Sequence, residues 1–318
     1  MRFIKAYIKS MRLYYAFITG IAGWLGVVYY EHMSQLSLGI VRKSVILILL
    51  FLSWGINQII NDYLGLEEDR INAPQRPMVT GELEPRKAVI TSCALLVISI
   101  GVIWIYLEPL AIIPALVGVL LNVLYEYAKG YGFMGNIVFG VMIAMSSAVG
   151  FFASGPVGYP YLTATFSVLF LLVAVMNSVM TYYTYFKDYK GDKAAGKKTI
   201  VVKYGLKKAR VIAVALSFIP LIAFLLLYQL GFSDLKLNEC FVFLSIITLI
   251  LQLWTGFLYY KYPEGDKTYY SLSMNFRACS CGQAALAGLF APQLAMMLYI
   301  AAYVFVGLLF DLHSNSKA

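Results

Sequence analysis

The residues with the most chemical potential lie at 61–81, NDYLGLEEDRINAPQRPMVTG. Asp62, Glu67, Glu68 and Asp69 fall within two helical turns, directly after an apolar run at 45–60. Carboxylates at the mouth of an apolar helix are costly unless something pairs them. A hard divalent cation is the simplest partner, because carboxylate oxygens are its preferred ligands. Arg70 and Arg76 follow, and guanidinium groups suit the phosphates such a cation carries. On one helix Asp62 and Asp69 share a face. A solvated polar loop between two membrane helices accounts for the same spacing. A second acidic stretch runs YFKDYKGD at 185–192 and continues to GKKT at 196–199. Asn177, Thr181, Tyr185, Asp188 and Asp192 are spaced to form one helical stripe from membrane depth to the surface. Two facing clusters of this kind could hold magnesium ions, and the ions a diphosphate. A helix-packing stripe with a charged end also fits. A third constellation is YEYAK at 125–129, where Tyr125 and Lys129 share a face and the lysine could reach a phosphate. An interfacial tyrosine beside a topology-setting lysine fits equally. Lys197 with Lys198, taken alone, reads as a topology signal.

The elements that must position these groups are membrane helices. The chain has 318 residues, of which 61% are hydrophobic and 13% charged, against about 25% charge in a soluble domain. A bilayer admits only helices or closed barrels, and the apolar runs here are too long for barrel strands. The predicted fold class is therefore all-α, an integral membrane protein. Spans are expected at 13–30, 45–60, 88–106, 110–125, 133–153, 166–186, 211–230, 240–260 and 284–310, with a short interfacial helix at 271–281. They make one domain, 1–318, with cap loops at about 61–87, 126–132 and 187–210. No cleavable signal peptide is expected, because the first span is full length and no small-residue cleavage site follows it. Alternating the spans from a cytoplasmic N-terminus puts 21 basic residues on the cytoplasmic side. Four remain opposite: Arg42, Lys43, Lys236 and Lys317. That asymmetry favours an odd number of spans and places both acidic clusters on the cytoplasmic face. The net charge of +9 is thus mostly a topology signal that also suits anionic lipid or an anionic substrate, and nothing points to nucleic acid. Cys93, Cys240, Cys279 and Cys281 lie in or beside apolar runs and read as reduced, structural thiols. Arg12 could pair with an acidic acceptor but reads first as a topology residue, and Arg277 as a cap on the cavity or a snorkelling side chain.

The pieces 61–69 (NDYLGLEED), 71–81 (INAPQRPMVTG), 125–129 (YEYAK) and 185–199 (YFKDYKGDKAAGKKT) together resemble the UbiA superfamily of intramembrane prenyltransferases. The order and spacing match over about residues 1–260. The family's first motif is Asn-Asp-x-x-Asp-x-x-x-Asp, its second Asp-x-x-Asp-x-x-x-Asp, with Tyr-x-x-x-Lys between. This chain departs at two positions: Gly65 stands for the first motif's middle aspartate and Tyr185 for the second motif's first. Glu67 or Glu68 could replace the missing carboxylate of the first cluster, whereas a neutral tyrosine is no substitute for a hard anionic ligand.

The resemblance implies about nine transmembrane helices around a central cavity under a polar cap, and magnesium-dependent use of an isoprenyl diphosphate. It implies that Asn61, Asp62, Asp69, Asp188 and Asp192 bind magnesium, with Glu68 as a further candidate. Arg76, Lys129 and Lys197 would hold the remaining phosphate charge. Ionisation would leave an allylic cation, for which Tyr125 and Tyr185 are the aromatic candidates and Asn177 a polar cavity residue. Apolar walls would keep water from quenching it. The expected reaction is prenyl transfer to a small hydrophobic or aromatic acceptor within the lipid bilayer. A terpene cyclase of the same superfamily is the alternative. An ion-coupled transporter is remote, because transporters place charges near the bilayer midplane and these carboxylates gather at span ends.

Overall fold

The computed structural model describes residues 2–232 and 235–315, and its described residues hold helices and no strands. In chain order the helices are α1 (Arg2–Met11), α2 (Phe17–Ser34), α3 (Ile40–Leu64), α4 (Leu66–Asn72), α5 (Pro77–Thr80), α6 (Pro85–Tyr106) and α7 (Ile112–Ala128). They continue as α8 (Phe133–Ser154), α9 (Ala164–Ala194), α10 (Ile200–Leu216), α11 (Ile219–Gln229), α12 (Glu239–Lys261), α13 (Lys267–Ala287) and α14 (Pro292–Asn315). Eight candidate spans are long and apolar enough to cross a bilayer, with α10 and α11 counted as one. This is a multi-pass integral membrane protein.

Two kinds of sequence build the bundle. Its centre is α8 and α9 packed on α2 and α13. There α2 and α8 approach so closely that a Cβ on Gly26 would meet the Ser147 carbonyl, and one on Gly150 the Gly23 carbonyl. Small residues allow this approach where lipid supplies no hydrophobic drive between helices. An aromatic stack of Tyr29, Phe151 and Phe166 fills the end of the bundle away from the acidic clusters. The periphery is different: α11 (IPLIAFLLLYQ) has no buried residue at all.

Three expectations change. The interfacial helix expected at 271–281 is the interior of α13, a 21-residue helix buried along its length. Some of its polar residues bond to neighbouring helices. Asn275 donates to the Met180 carbonyl at 2.9 Å, and Tyr269 to the Phe310 carbonyl at 2.9 Å. The span expected at 284–310 is therefore broken after Ala287, and only α14 belongs to it. Second, α14 runs back antiparallel to α13, with Cys281 bonded to Tyr299 near one end and Tyr269 to Phe310 near the other. Phe310 also packs on Tyr15, so the described chain ends on the face where it begins, and not opposite as an odd number of spans requires. Lys317, counted on the opposite side, lies outside the described residues. Third, Arg277 neither caps the cavity nor snorkels. It lies over the Tyr303 ring, 4.9 Å from its centroid, and donates to the Tyr303 carbonyl at 3.1 Å, joining α13 to α14.

Candidate active site

The polar end of α3 carries Asp62, which is only 3% exposed. Three donors converge on its Oδ1: the Arg12 guanidinium, Gln58 Nε2 at 3.0 Å and Arg76 Nη1 at 3.3 Å. Arg12 reaches it because the chain turns sharply between α1 and α2. Arg12 itself takes a left-handed conformation (φ 46°), uncommon outside glycine. Its reading as an ordinary topology residue is thus replaced by a direct ion pair. The helix breaks at Gly65, and α4 brings Glu68 and Asp69 round as buried residues. Asp69 Oδ2 binds the same Arg76. Burial, with the Asp62 charge close by, pushes the Asp69 carboxyl up, although Arg76 opposes the shift. Burial alone would lower the Arg76 pKa, but Asp62, Asp69 and Asp188 raise it further above its ordinary value.

Asp188 and Asp192 stand near the end of α9. Asp188 is half-buried and lines the cavity; Asp192 is fully buried and does not. Asp192 Oδ1 instead lies 2.7 Å from Lys129 Nζ, at the end of α7. Burial tends to lower the lysine's pKa, and Asp188, Asp192 and Glu126 overcome it and hold the ammonium charged. Lys129 also lies 5.9 Å from the centre of the Tyr185 ring. Tyr185 is fully buried behind it, its hydroxyl where a Cβ at Gly135 would collide. The two clusters are tied together by Asn72, whose Oδ1 accepts the Gly191 N–H at 2.8 Å. Lys197 bridges Glu68 Oε1 (2.6 Å) and Glu126. It is placed there by a short parallel bridge between Tyr131 and Lys198.

These groups surround a cavity of about 850 Å³. It brings together Asn61, Asp62, Glu68, Asp69, Arg76, Tyr125, Lys129 and Asp188 of the residues expected from sequence. Four expected residues stand outside it. Asp192 and Tyr185 support Lys129 from behind, and Lys197 caps Glu68 and Glu126. Asn177 is a correction: it is fully buried against α13, donating to the Val173 carbonyl at 2.8 Å and accepting from the Cys279 thiol at 3.4 Å. Its polar position in the stripe serves helix packing. Residues not anticipated also line the cavity, among them Tyr15, Trp54, Gln58, Phe139, Thr184 and Phe276. One signal was available for some of them: Trp54, Gln58 and Asp62 are spaced four apart and lie on one face of α3.

Below the polar cavity, toward membrane depth, lies a second chamber of about 950 Å³ between α2, α3, α6, α7 and α8. Its walls are mainly aliphatic, including Leu49, Leu96, Ile100, Ile103, Met142 and Val149. Trp54, Gln58, Asn61 and Phe139 line both spaces and make up the boundary, or neck, where they adjoin. A charged cavity adjoining an apolar one suits an amphiphile with an anionic head.

The model of the UbiA prenyltransferase family matches residues 16–278. The chain belongs to the UbiA prenyltransferase family. It is a prenyltransferase by that membership. Digeranylgeranylglyceryl phosphate synthase of Pyrococcus furiosus is 31% identical over 233 residues, 72% of this chain and 79% of that one. The synthase of the same name from Methanococcoides burtonii is 29% identical and covers 79% of this chain and 88% of its own. Among solved structures, a UbiA homologue from Archaeoglobus fulgidus bound to GPP and Mg2+ superposes with a TM-score of 0.65 at 15% identity, over 94% of this chain and 100% of that one. The family's matched stretch ends inside α13, so α14 lies beyond it.

The donor chemistry of the cavity fits a hard cation. All its anionic groups are carboxylates, and the buried Asn61 Oδ1 has no hydrogen-bond partner. Five carboxylates (Asp62, Glu68, Asp69, Glu126, Asp188) face four cations (Arg12, Arg76, Lys129, Lys187) in its lining. A diphosphate entering that near balance requires added positive charge. Asp62, Asp69, Glu68 and Glu126 are paired with cationic side chains, and no three metal-binding groups converge among the described residues.

Proposed function

We propose that this enzyme transfers a prenyl group from an isoprenyl diphosphate to the hydroxyl of a prenylated glyceryl phosphate lipid. The observation that carries the reading is a carboxylate- and cation-lined cavity adjoining an apolar chamber, with four lining residues in common. The named synthases that the chain resembles favour the lipid acceptor over a small aromatic one.

Asn61, Asp62, Asp69 and Asp188, with Glu68 as a further candidate, would hold magnesium, which would neutralise the diphosphate as it leaves. The Archaeoglobus homologue's bound GPP and Mg2+ support this assignment. Arg76 and Lys129 would bind the phosphate oxygens that the cation leaves uncovered. Asp192 keeps Lys129 extended toward the cavity. Tyr125, at the cavity wall, closes the site on the α7 side. The apolar chamber holds the prenyl chain and excludes water. Lys197 latches α4 to α7 over the cavity through Glu68 and Glu126. The basic residues grouped at the polar end support a cytoplasmic N-terminus and active site, with Arg42, Lys43 and Lys236 at the other end.

The deciding experiment is mass spectrometry of products made by the purified protein with magnesium and geranyl, farnesyl or geranylgeranyl diphosphate. Each donor is given geranylgeranylglyceryl phosphate, aromatic acceptors or no acceptor. A product equal in mass to the glyceryl phosphate lipid plus one prenyl group supports the proposal. A prenylated aromatic, or a cyclised hydrocarbon made without acceptor, overturns the acceptor assignment.

A further inference from the structure

We propose that Trp54 and Phe139 are the groups that stabilise the reacting carbon, a role the sequence pattern placed on Tyr125 and Tyr185. The inference rests on the prenyl-transfer reading. In a prenyl diphosphate the charged head and the apolar chain are joined through a single carbon, C1. With the head among Asp62, Asp188, Arg76 and Lys129 and the chain in the apolar chamber, C1 falls where the two spaces adjoin, at the neck. Only four residues line both spaces, and two of them, Trp54 from α3 and Phe139 from α8, are aromatic. Each is 9% exposed and is braced by a second ring. Tyr15 meets Trp54 edge-on at 6.0 Å, and Tyr125 meets Phe139 edge-on at 5.3 Å. The Trp54 Nε1–H is buried without a hydrogen-bond partner. Tyr185, by contrast, is behind Lys129 and outside the cavity, too far back to face C1.

The chemistry requires such rings. The C1–O bond breaks, its electron pair leaves with the diphosphate, and C1 becomes an allylic cation. The acceptor hydroxyl oxygen then forms the new C1–O bond, and its proton passes to a departing diphosphate oxygen. Water attacking in the acceptor's place gives a free prenyl alcohol and delivers a proton in the same way. An indole face is the strongest neutral partner for a cation among protein side chains. The other two neck residues, Gln58 and Asn61, are polar and do not offer that face. Tyr125 and Tyr15 act through Phe139 and Trp54 as positioning residues.

The test compares wild type with Trp54→Phe, Trp54→Leu and Phe139→Leu, each assayed in lipid nanodiscs with magnesium, geranylgeranyl diphosphate and geranylgeranylglyceryl phosphate. Transferred product and free geranylgeraniol are both quantified. Trp54→Leu is expected to lower kcat on the order of tenfold or more while KM for the diphosphate stays within about threefold. The share of prenyl alcohol rises, because a less stabilised cation in a less filled neck is captured by water. Trp54→Phe retains most of the turnover, and Phe139→Leu shifts the same two readouts less. If Trp54→Leu misfolds, Phe139→Leu and Trp54→Phe carry the test by the same product ratio. Unchanged kcat and alcohol share in the leucine variants overturn the inference while leaving prenyl transfer intact. Wild type that makes no prenylated product with any acceptor overturns the transfer reading itself.

Discussion

The first acidic cluster is neutralised by side chains that arrive on connections, the second by a lysine at a helix end paired with a carboxylate sealed inside the bundle. Asp62 and Asp69 are held by Arg12, from the corner between α1 and α2, and by Arg76, from the entry to α5. Asp192 is held by Lys129, with the carboxylate fully buried and only the lysine reaching the cavity. Asp188 stands between them at the cavity surface. A guanidinium offers several donors in a rigid fork and can trade a carboxylate for a phosphate oxygen without losing all its partners. A buried ammonium and carboxylate cannot be parted without stranding a charge. The first cluster is therefore suited to exchanging partners when a diphosphate enters, and the second to holding one cation still.

The largest effects should separate the two cavity carboxylates from the sealed one. Asp62→Ala and Asp188→Ala are each expected to lower prenyl transfer on the order of a thousandfold, a barrier change of several kcal/mol. Asp188→Asn should do so with little change in thermal unfolding, since Asp188 is half-buried and draws its positive charge from several cations, Lys129, Lys187, Arg76 and Arg12. Equal losses of fold stability in both would break the distinction between the clusters.

Asp192→Asn is expected to act mainly on stability. It leaves Lys129 buried without its 2.7 Å partner, a loss of about 3 kcal/mol in this setting. The double variant Asp192→Asn with Lys129→Met should unfold at a higher temperature than Asp192→Asn alone, because the stranded cation is gone, while remaining inactive. If the double variant is the less stable of the two, the pair is not the sealed unit described above.

Arg12→Lys tests the opposite side of the comparison and should have a smaller effect. A lysine at the same corner keeps the charge but not the fork, so turnover should fall about tenfold with unfolding nearly unchanged. A variant as active as wild type would show that the Arg12–Asp62 pair only closes the fold.

How much of this was legible in sequence differs between regions. The helical class, the apolar spans and the grouping of both acidic clusters at one end follow from periodicity and charge, and the cavity does collect Asn61, Asp62, Asp69, Tyr125, Lys129 and Asp188. The errors share one physical origin. Hydropathy reports contact with lipid, not burial. The apolar α11 has no buried residue, whereas α13, with Ser271, Ser273, Asn275, Ser280 and Gln283, is buried along its length among other helices. A polar sequence surrounded by protein looks like an interfacial helix when lipid contact is assumed. Depth along a stripe misleads in the same way. Asn177, Tyr185 and Asp192 share a helical row with Asp188, yet the cavity meets that row only at Asp188 and the rest face α13 or Lys129. Arg12 was obscured because one left-handed residue redirects it, and a backbone corner of that kind leaves no periodic trace.

The smallest expected effect concerns Lys197, which connects the first cluster to α7 from outside. Burial alone would raise the Glu68 carboxyl, but the Lys197 hydrogen bond and charge outweigh it and hold it below its ordinary value of 4.5. A carboxyl lowered in the folded state adds stability above its unfolded pKa, and that stability is lost as the pH falls through the folded value. Wild-type protein should therefore lose thermal stability as the pH drops below about 4.5. In Lys197→Gln, Glu68 loses its main opposition to burial and keeps only a backbone hydrogen bond and the charge of Lys129, so this part of the acid-side loss should flatten. The difference in unfolding temperature at neutral pH should be no more than about 2–4 °C, as befits a pair near the surface. Turnover should fall less than in Arg12→Lys, because Lys197 does not line the cavity. A Lys197→Gln variant that matched Asp62→Ala in lost activity would instead place this lysine on the diphosphate, and would move the boundary between the exchanging and the fixed cations to include it.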